Sequence, residues 1–225
     1  VVSGDYKRDA DPTCAPFEVV RCDTFISEAT FALPIYRWPA ADEVVADLRH
    51  WIEDHRAANR ATVLFAYSLG KAQRVLASIG DALDAPVLAH GAIIGMTDAY
   101  REAGVVLPPI EPVTEDMRGA ATHGRVILAP PSAMNTPWLR RFPGAATAMI
   151  SGWMRVRGTR RWKGVDRGFV LSDHADWPAL LATIRETGAR RVLATHGYVD
   201  VLARVCAEQG YDAGVLDAGV TGEEG

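Results

Sequence analysis

Two periods of hydrophobic spacing run along the chain. Residues 18–27 (Glu-Val-Val-Arg-Cys-Asp-Thr-Phe-Ile-Ser) read as a strand that ends at Glu28. A stretch rich in Pro and aromatics, Leu33-Pro34-Ile35-Tyr36-Arg37-Trp38-Pro39, marks a crossing between domains. Over 42–57 the period becomes helical, with Val44, Val45, Leu48, Trp51, Ile52 and His55 on one face and Asp42 as N-cap. The pattern then alternates. It predicts strand 61–66, helix 70–79 closed by Gly80, a short strand 86–89, helix 93–103 ending at Gly104, strand 125–129 before Pro130-Pro131, and a segment 144–150 leading to Ser151-Gly152. Farther on come strand 168–172, a helix from Trp177 with Asp176 as N-cap and Pro178 in its first turn, Gly188 as its stop, strand 190–195, and helix 198–209 before Gly210.

Strands separated by helices imply a parallel sheet covered on both faces, hence an α/β protein. The 225 residues suffice for one large domain or two modest ones. With 48% hydrophobic and 23% charged residues, usage is that of a globular protein. No apolar run reaches membrane-spanning length and no basic-then-apolar leader opens the chain, so a cytoplasmic protein is expected. The three cysteines, Cys14, Cys22 and Cys206, include no CxxC and argue against a disulfide framework or a Cys-type zinc site. The chain opens on Val1-Val2, already strand-like, which leads us to expect a natural beginning upstream.

The net charge of −4 excludes a uniformly basic nucleic-acid binder, but charge is unevenly placed. Arg155, Arg157, Arg160, Arg161, Lys163 and Arg167 fall in one short stripe with a single acid, Asp166. Such a stripe can hold phosphates locally, with Trp153 and Trp162 as stacking platforms or core residues. The candidate chemistry lies elsewhere. His174, in Ser172-Asp173-His174-Ala175-Asp176, and His196, in Thr195-His196-Gly197, each follow a predicted strand, where α/β sheets place their chemistry. Asp5 offers a carboxylate at another strand end, and this convergence suggests a metal-assisted hydrolase. Ser68-Leu69-Gly70-Lys71 invites a phosphate-loop reading, which fails because Phe65 stands where the first loop glycine belongs. The helix after Gly70 could still present N–H groups to a phosphate. His50, His55, His90 and His123 have no partners at ligand spacing and read as structural or exposed.

Five segments in order resemble the β-CASP branch of the metallo-β-lactamase nucleases: Ser3-Gly4-Asp5, Ile26-Ser27-Glu28-Ala29-Thr30-Phe31, Leu64-Phe65-Ala66-Tyr67-Ser68-Leu69-Gly70-Lys71-Ala72-Gln73, Ser172-Asp173-His174-Ala175-Asp176 and Thr195-His196-Gly197. The wording of Ser3 to Thr13, of Trp153-Met154-Arg155-Val156-Arg157-Gly158 and of Ser-Asp-His-Ala-Asp-Trp is most similar to bacterial ligase-associated DNA exonucleases. The resemblance implies the C-terminal part of a metallo-β-lactamase αββα sandwich with an inserted parallel-sheet β-CASP domain. Its segments would be 1–33, an insert over 34–167, and a returning segment 168–225. It implies Asp5 and His196 as metal ligands, His174 as the general acid and Glu28 as its orienting carboxylate. Arg155, Arg157, Arg160, Arg161 and Lys163 would contact nucleic acid. Zinc, two ions in the complete protein, would be the cofactor. The family's His-x-His-x-Asp-His motif is not in the chain, so the metal site is expected to be incomplete and the chain alone inactive. The implied activity is metal-dependent phosphodiester hydrolysis, as a DNA exonuclease in ligase-associated repair. RNA-processing nuclease and non-catalytic nucleic-acid-binding fragment are the alternatives. Nucleic acid, DNA before RNA, and a DNA ligase are the expected partners, with no membrane.

Overall fold

The computed structural model describes residues 1–156 and 164–216. In chain order its strands and α-helices are β1 (Thr24–Ala29), α1 (Ala41–Ala57), β2 (Thr62–Phe65), α2 (Lys71–Ile79), β3 (Val87–Ala89), α3 (Gly91–Glu102), β4 (Ile110–Pro112), β5 (Val126–Ala129), β6 (Ala146–Ile150), β7 (Arg167–Phe169), α4 (Trp177–Thr187), β8 (Arg191–Gly197), α5 (Val199–Glu208) and β9 (Asp212–Val215). They fall into two units. One takes Val1–Asp9, Pro16–Arg37 and the described residues from Asp173 onward; the other takes Ala10–Ala15 and Trp38–Ser172.

The larger unit is built on a six-stranded sheet of order β4-β3-β5-β2-β6-β7, every pairing parallel. All four residues of β2 and of β5 are buried, as expected for central strands covered on both faces. Alternation sorts their side chains. Leu64 and Ala66 join Leu48, Trp51, Ile52, Val75, Leu76 and Ile93 of α1, α2 and α3 on one face. Val63 and Phe65 join Ala133, Phe142, Met149 and Met154 on the other. α1 begins at Ala41 with Ala40 as N-cap, not at Asp42, because Asp42 is already inside the first turn, where its charge complements the helix dipole. α3 begins at Gly91, earlier than its periodicity suggests, because His90 caps it by accepting from Ala92 N at 3.1 Å.

The smaller unit has one parallel sheet, β1-β8-β9, with α4 and α5. Asp176 caps α4 by accepting from Ala179 N at 3.0 Å, Pro178 occupies the first turn, and Gly188 ends it with φ +67°. Leu180, Ile184, Leu202 and Cys206 pack with Phe25, Val192 and Ala194 into its core. Each fully buried Leu or Ile there contributes roughly 1.5–3 kcal/mol relative to exposure. β1 starts at Thr24, so residues 18–23 lie outside the ladder, whose β8 partners begin at Arg191. β7 ends at Phe169 and pairs with β6, so His174 does not terminate a strand of its own unit. A mixed α/β protein with parallel sheets is what these residues form. The αββα sandwich of the resemblance is not established by the three-stranded sheet found among the described residues of this unit.

Candidate functional site

Glu28 organises the smaller unit's polar cluster. It sits near the end of β1 with its side chain only 2% exposed. Tyr6 N donates to Oε1 at 3.1 Å and Thr30 N donates to Oε2 at 3.3 Å. His174 Nδ1 lies 2.9 Å from Oε2 and 3.1 Å from Oε1. An ionised carboxylate only accepts, so Nδ1 carries the proton of that contact. Nε2 then faces Asp5 Oδ2 at 3.9 Å, an electrostatic contact longer than a hydrogen bond. Two further contacts fix the imidazole. Ala175 N donates to Tyr6 O at 2.6 Å, and the Phe31 ring meets the His174 ring edge-on at 5.7 Å.

Electrostatics follows from this packing. Burial pushes the Glu28 carboxyl up, but the hydrogen bonds from His174 and Thr30 and the imidazole charge outweigh it, so the group titrates below its ordinary value. Burial pushes His174 down, but the Glu28 hydrogen bond and the charges of Glu28, Asp5 and Asp173 outweigh that, so the imidazolium persists above its ordinary range. His174, raised above 6.5, therefore contributes stability in full below that value and loses it as pH rises through its folded pKa. Glu28, lowered below 4.5, contributes in full above that value and loses it as pH falls through its folded pKa. The pair should be strongest between 4.5 and 6.5. In metal-free buffer, His174 followed by NMR should titrate above an ordinary histidine, and in Glu28→Gln it should drop below its native midpoint. Equal midpoints in the two proteins would show that Glu28 does not set the imidazole charge.

The other expected site residues are placed differently. His196 is the extra residue of a β-bulge on β8: Glu28 pairs with Thr195 and Ala29 pairs with Gly197. Its φ is +61° and it is exposed. A non-glycine residue held in that region is uncommon, and a bulge re-aims its side chain. Among the described residues, Asp5, Glu28 and His174 each place one donor atom within 4.8 Å of the others, and His196 is not part of that group. A zinc centre takes at least three protein ligands. Glu28 accepts from Tyr6 N, Thr30 N and His174 Nδ1, so a metal at this cluster would compete with those bonds. Asp176 is a helix cap, and Asp173 lies 4.0 Å from Lys7 Nζ.

In the larger unit, Arg155 is exposed at the end of a short helical turn, Gly152–Arg155, while Arg157, Arg160, Arg161, Lys163 and Trp162 lie outside the described residues. Trp153 packs partly buried against the core. The phosphate reading of the α2 N-terminus fails on backbone bonds: Lys71 N donates to Leu69 O, and Ala72 N donates to Tyr67 O. Sequence reasoning did not find the His90 cap or the buried Asp11–Arg74 pair, since neither carries a local signal.

No family model matches the chain. A curated relative from Opitutus terrae, named Probable DNA ligase, is 33% identical over 215 residues. The match covers 94% of this chain and 20% of the relative, so the chain spans about a fifth of the length of the protein it matches. A ligase joins strands. That name overturns the expected hydrolase activity, as DNA exonuclease and as RNA nuclease alike, and gives the β-CASP resemblance no support. Among the described residues no helix is long and apolar enough to cross a membrane.

Proposed function

We propose that the chain is a DNA-engaging part of a larger strand-joining polypeptide, and that His174 meets a DNA phosphate. The observation that carries this reading is the match of nearly the whole chain to a fifth of a protein named for DNA ligation. The site supports it chemically. Glu28 holds Nδ1, and a phosphate oxygen that displaces Asp5 from Nε2 would gain a charged donor, which strengthens the bond. Asp5, with a side chain 66% exposed, competes for the same nitrogen.

Opposite signs follow for two substitutions. With EDTA present and a labelled nicked duplex as probe, His174→Gln should weaken binding about tenfold, the loss of one charge-assisted hydrogen bond. Asp5→Asn should tighten binding a few-fold, because a like charge leaves the phosphate path. Fluorescence anisotropy at pH 6 measures both. Unchanged affinity in His174→Gln would remove the site from DNA contact, and no DNA binding by the unaltered chain at 50 mM salt would end the reading.

The cofactor proposal follows from the donor set: Asp5 and His174 Nε2 supply only part of a zinc site. Calorimetry of this chain should show no stoichiometric zinc uptake at micromolar concentration, and a one-to-one isotherm there would reverse that assignment.

A further inference from the structure

In the larger unit, Pro137 and Pro143 bracket a segment carrying Trp138, Arg140 and Arg141. It forms a tight helical turn over Leu139–Arg141, and Phe142, 3% exposed, anchors its end in the core. Trp138 is half-buried, its ring held edge-to-face by His90 at 5.0 Å and Phe142 at 5.1 Å. Proline limits the freedom of the flanks and the ring contacts limit that of the indole, so little freedom remains to be lost on binding. Together with Arg118 and Gly119 these residues wall an open cavity of about 630 Å³. That lies in the size range of sites for small ligands.

The cavity is strongly cationic. Among the described residues, none of Arg118, Arg140 and Arg141 is paired with a carboxylate. Arg118 Nε donates to the backbone oxygen of Glu115 at 2.7 Å, which steadies the guanidinium without neutralising it. Burial and then the Arg141 charge hold His90 below its ordinary value, so its imidazole adds no charge near neutrality. Three guanidiniums and an indole lining one cavity offer the groups that recognise phosphates adjoining a flat aromatic ring.

We infer that this cavity binds a nucleotide unit of single-stranded DNA, with a base on Trp138 and the flanking phosphates on Arg118, Arg140 and Arg141. The choice of DNA rests on the functional reading above; the cavity itself stands on its own geometry. A single strand is required because in a duplex each base face is covered by its neighbours, whereas an unstacked base can lie on an indole.

The test uses a fluorescein-labelled 12-nucleotide oligo-dT and the whole chain, with anisotropy read across a salt series. Trp138→Leu should weaken binding about tenfold, and Trp138→Phe should restore most of it, because stacking needs an aromatic plane. Arg140→Gln/Arg141→Gln should weaken binding and lower the salt slope by about 1.4, since each phosphate neutralised on a single strand contributes about 0.7. Circular dichroism melting confirms that each variant is folded; if Trp138→Leu is not, the surface arginine variant decides alone. Native affinity and salt slope in the folded arginine variant, or native affinity in folded Trp138→Leu, would overturn the assignment while leaving DNA binding itself intact. Saturation of the cavity by dTMP or inorganic phosphate with no oligomer binding would overturn it as well. Absence of any oligomer or duplex binding by the native chain would remove both this site and the functional reading.

Discussion

Arg74→Met is expected to destabilise the larger unit by about 4 kcal/mol, the scale on which a buried ion pair fails when one partner is removed. Arg74 and Asp11 have side chains only 3% and 2% exposed, with Nε 3.4 Å from Oδ2. Arg74 Nη1 also donates to Ser172 O at 2.6 Å, and Asp11 Oδ1 accepts from Thr13 N at 2.7 Å and Thr13 Oγ1 at 2.6 Å. This network ties three distant pieces of chain together: the 10–15 segment, α2 and the residue that closes the unit. Met keeps much of the Arg volume but takes the guanidinium away from a buried carboxylate. Urea unfolding should show the midpoint fall in proportion. Asp11→Ala/Arg74→Met should cost less than the two single substitutions added, because the coupled groups leave together. Strict additivity would show that the pair is not a unit.

The second large effect is Gly197→Ala, expected to cost the smaller unit about 3 kcal/mol. Gly197 follows the bulge at His196 with φ +92°. A Cβ there would lie 2.5 Å from both Ala29 O and Thr30 Cα, so the obstruction is backbone and cannot swing away. Tyr198 N donates to that same Ala29 O at 2.8 Å, which fixes the carbonyl in place. The loss would fall beside Glu28 and should therefore disturb the His174 imidazole as well. Thermal melting followed by the near-ultraviolet signal measures it; a change under 1 kcal/mol, about the smallest that a left-handed position alone predicts, would mean that β1 and β8 separate readily.

Elements with local signals were legible in the chain. α4 carries Asp176, Pro178 and Gly188 at the positions that start and stop a helix, and it runs between them. The buried runs of β2 and β5 are likewise visible as short apolar segments. β4 and β9 were not anticipated: β4 has only three residues and ends in Pro112, β9 contains Gly214, and both are edge strands whose partners supply most of their order. His90 caps α3 although histidine is not a usual capping residue. At the polar cluster, the meeting of Glu28 with His174 was expected from the resemblance, whereas the separate placing of His196 was not. The bulge that sets His196 apart depends on the pairing of β1 with β8, across more than 160 residues of sequence, and no local pattern encodes it. The ligase name of the relative lay outside any reading of residue chemistry.

The interrupted course of the smaller unit bears on how the chain matures on a ribosome. β1 emerges early, yet its ladder partner β8 is synthesised only after the whole of Trp38–Ser172. That intervening stretch, with its own six-stranded sheet, can assemble while β1, bridged on one side by Val2, still lacks β8 on the other. Loop closure over such a span is slow, and a waiting strand with unsatisfied backbone groups invites mispairing. Nascent chains stalled before residue 191 should therefore expose β1 to protease and to chaperone capture, while the inserted unit already resists digestion.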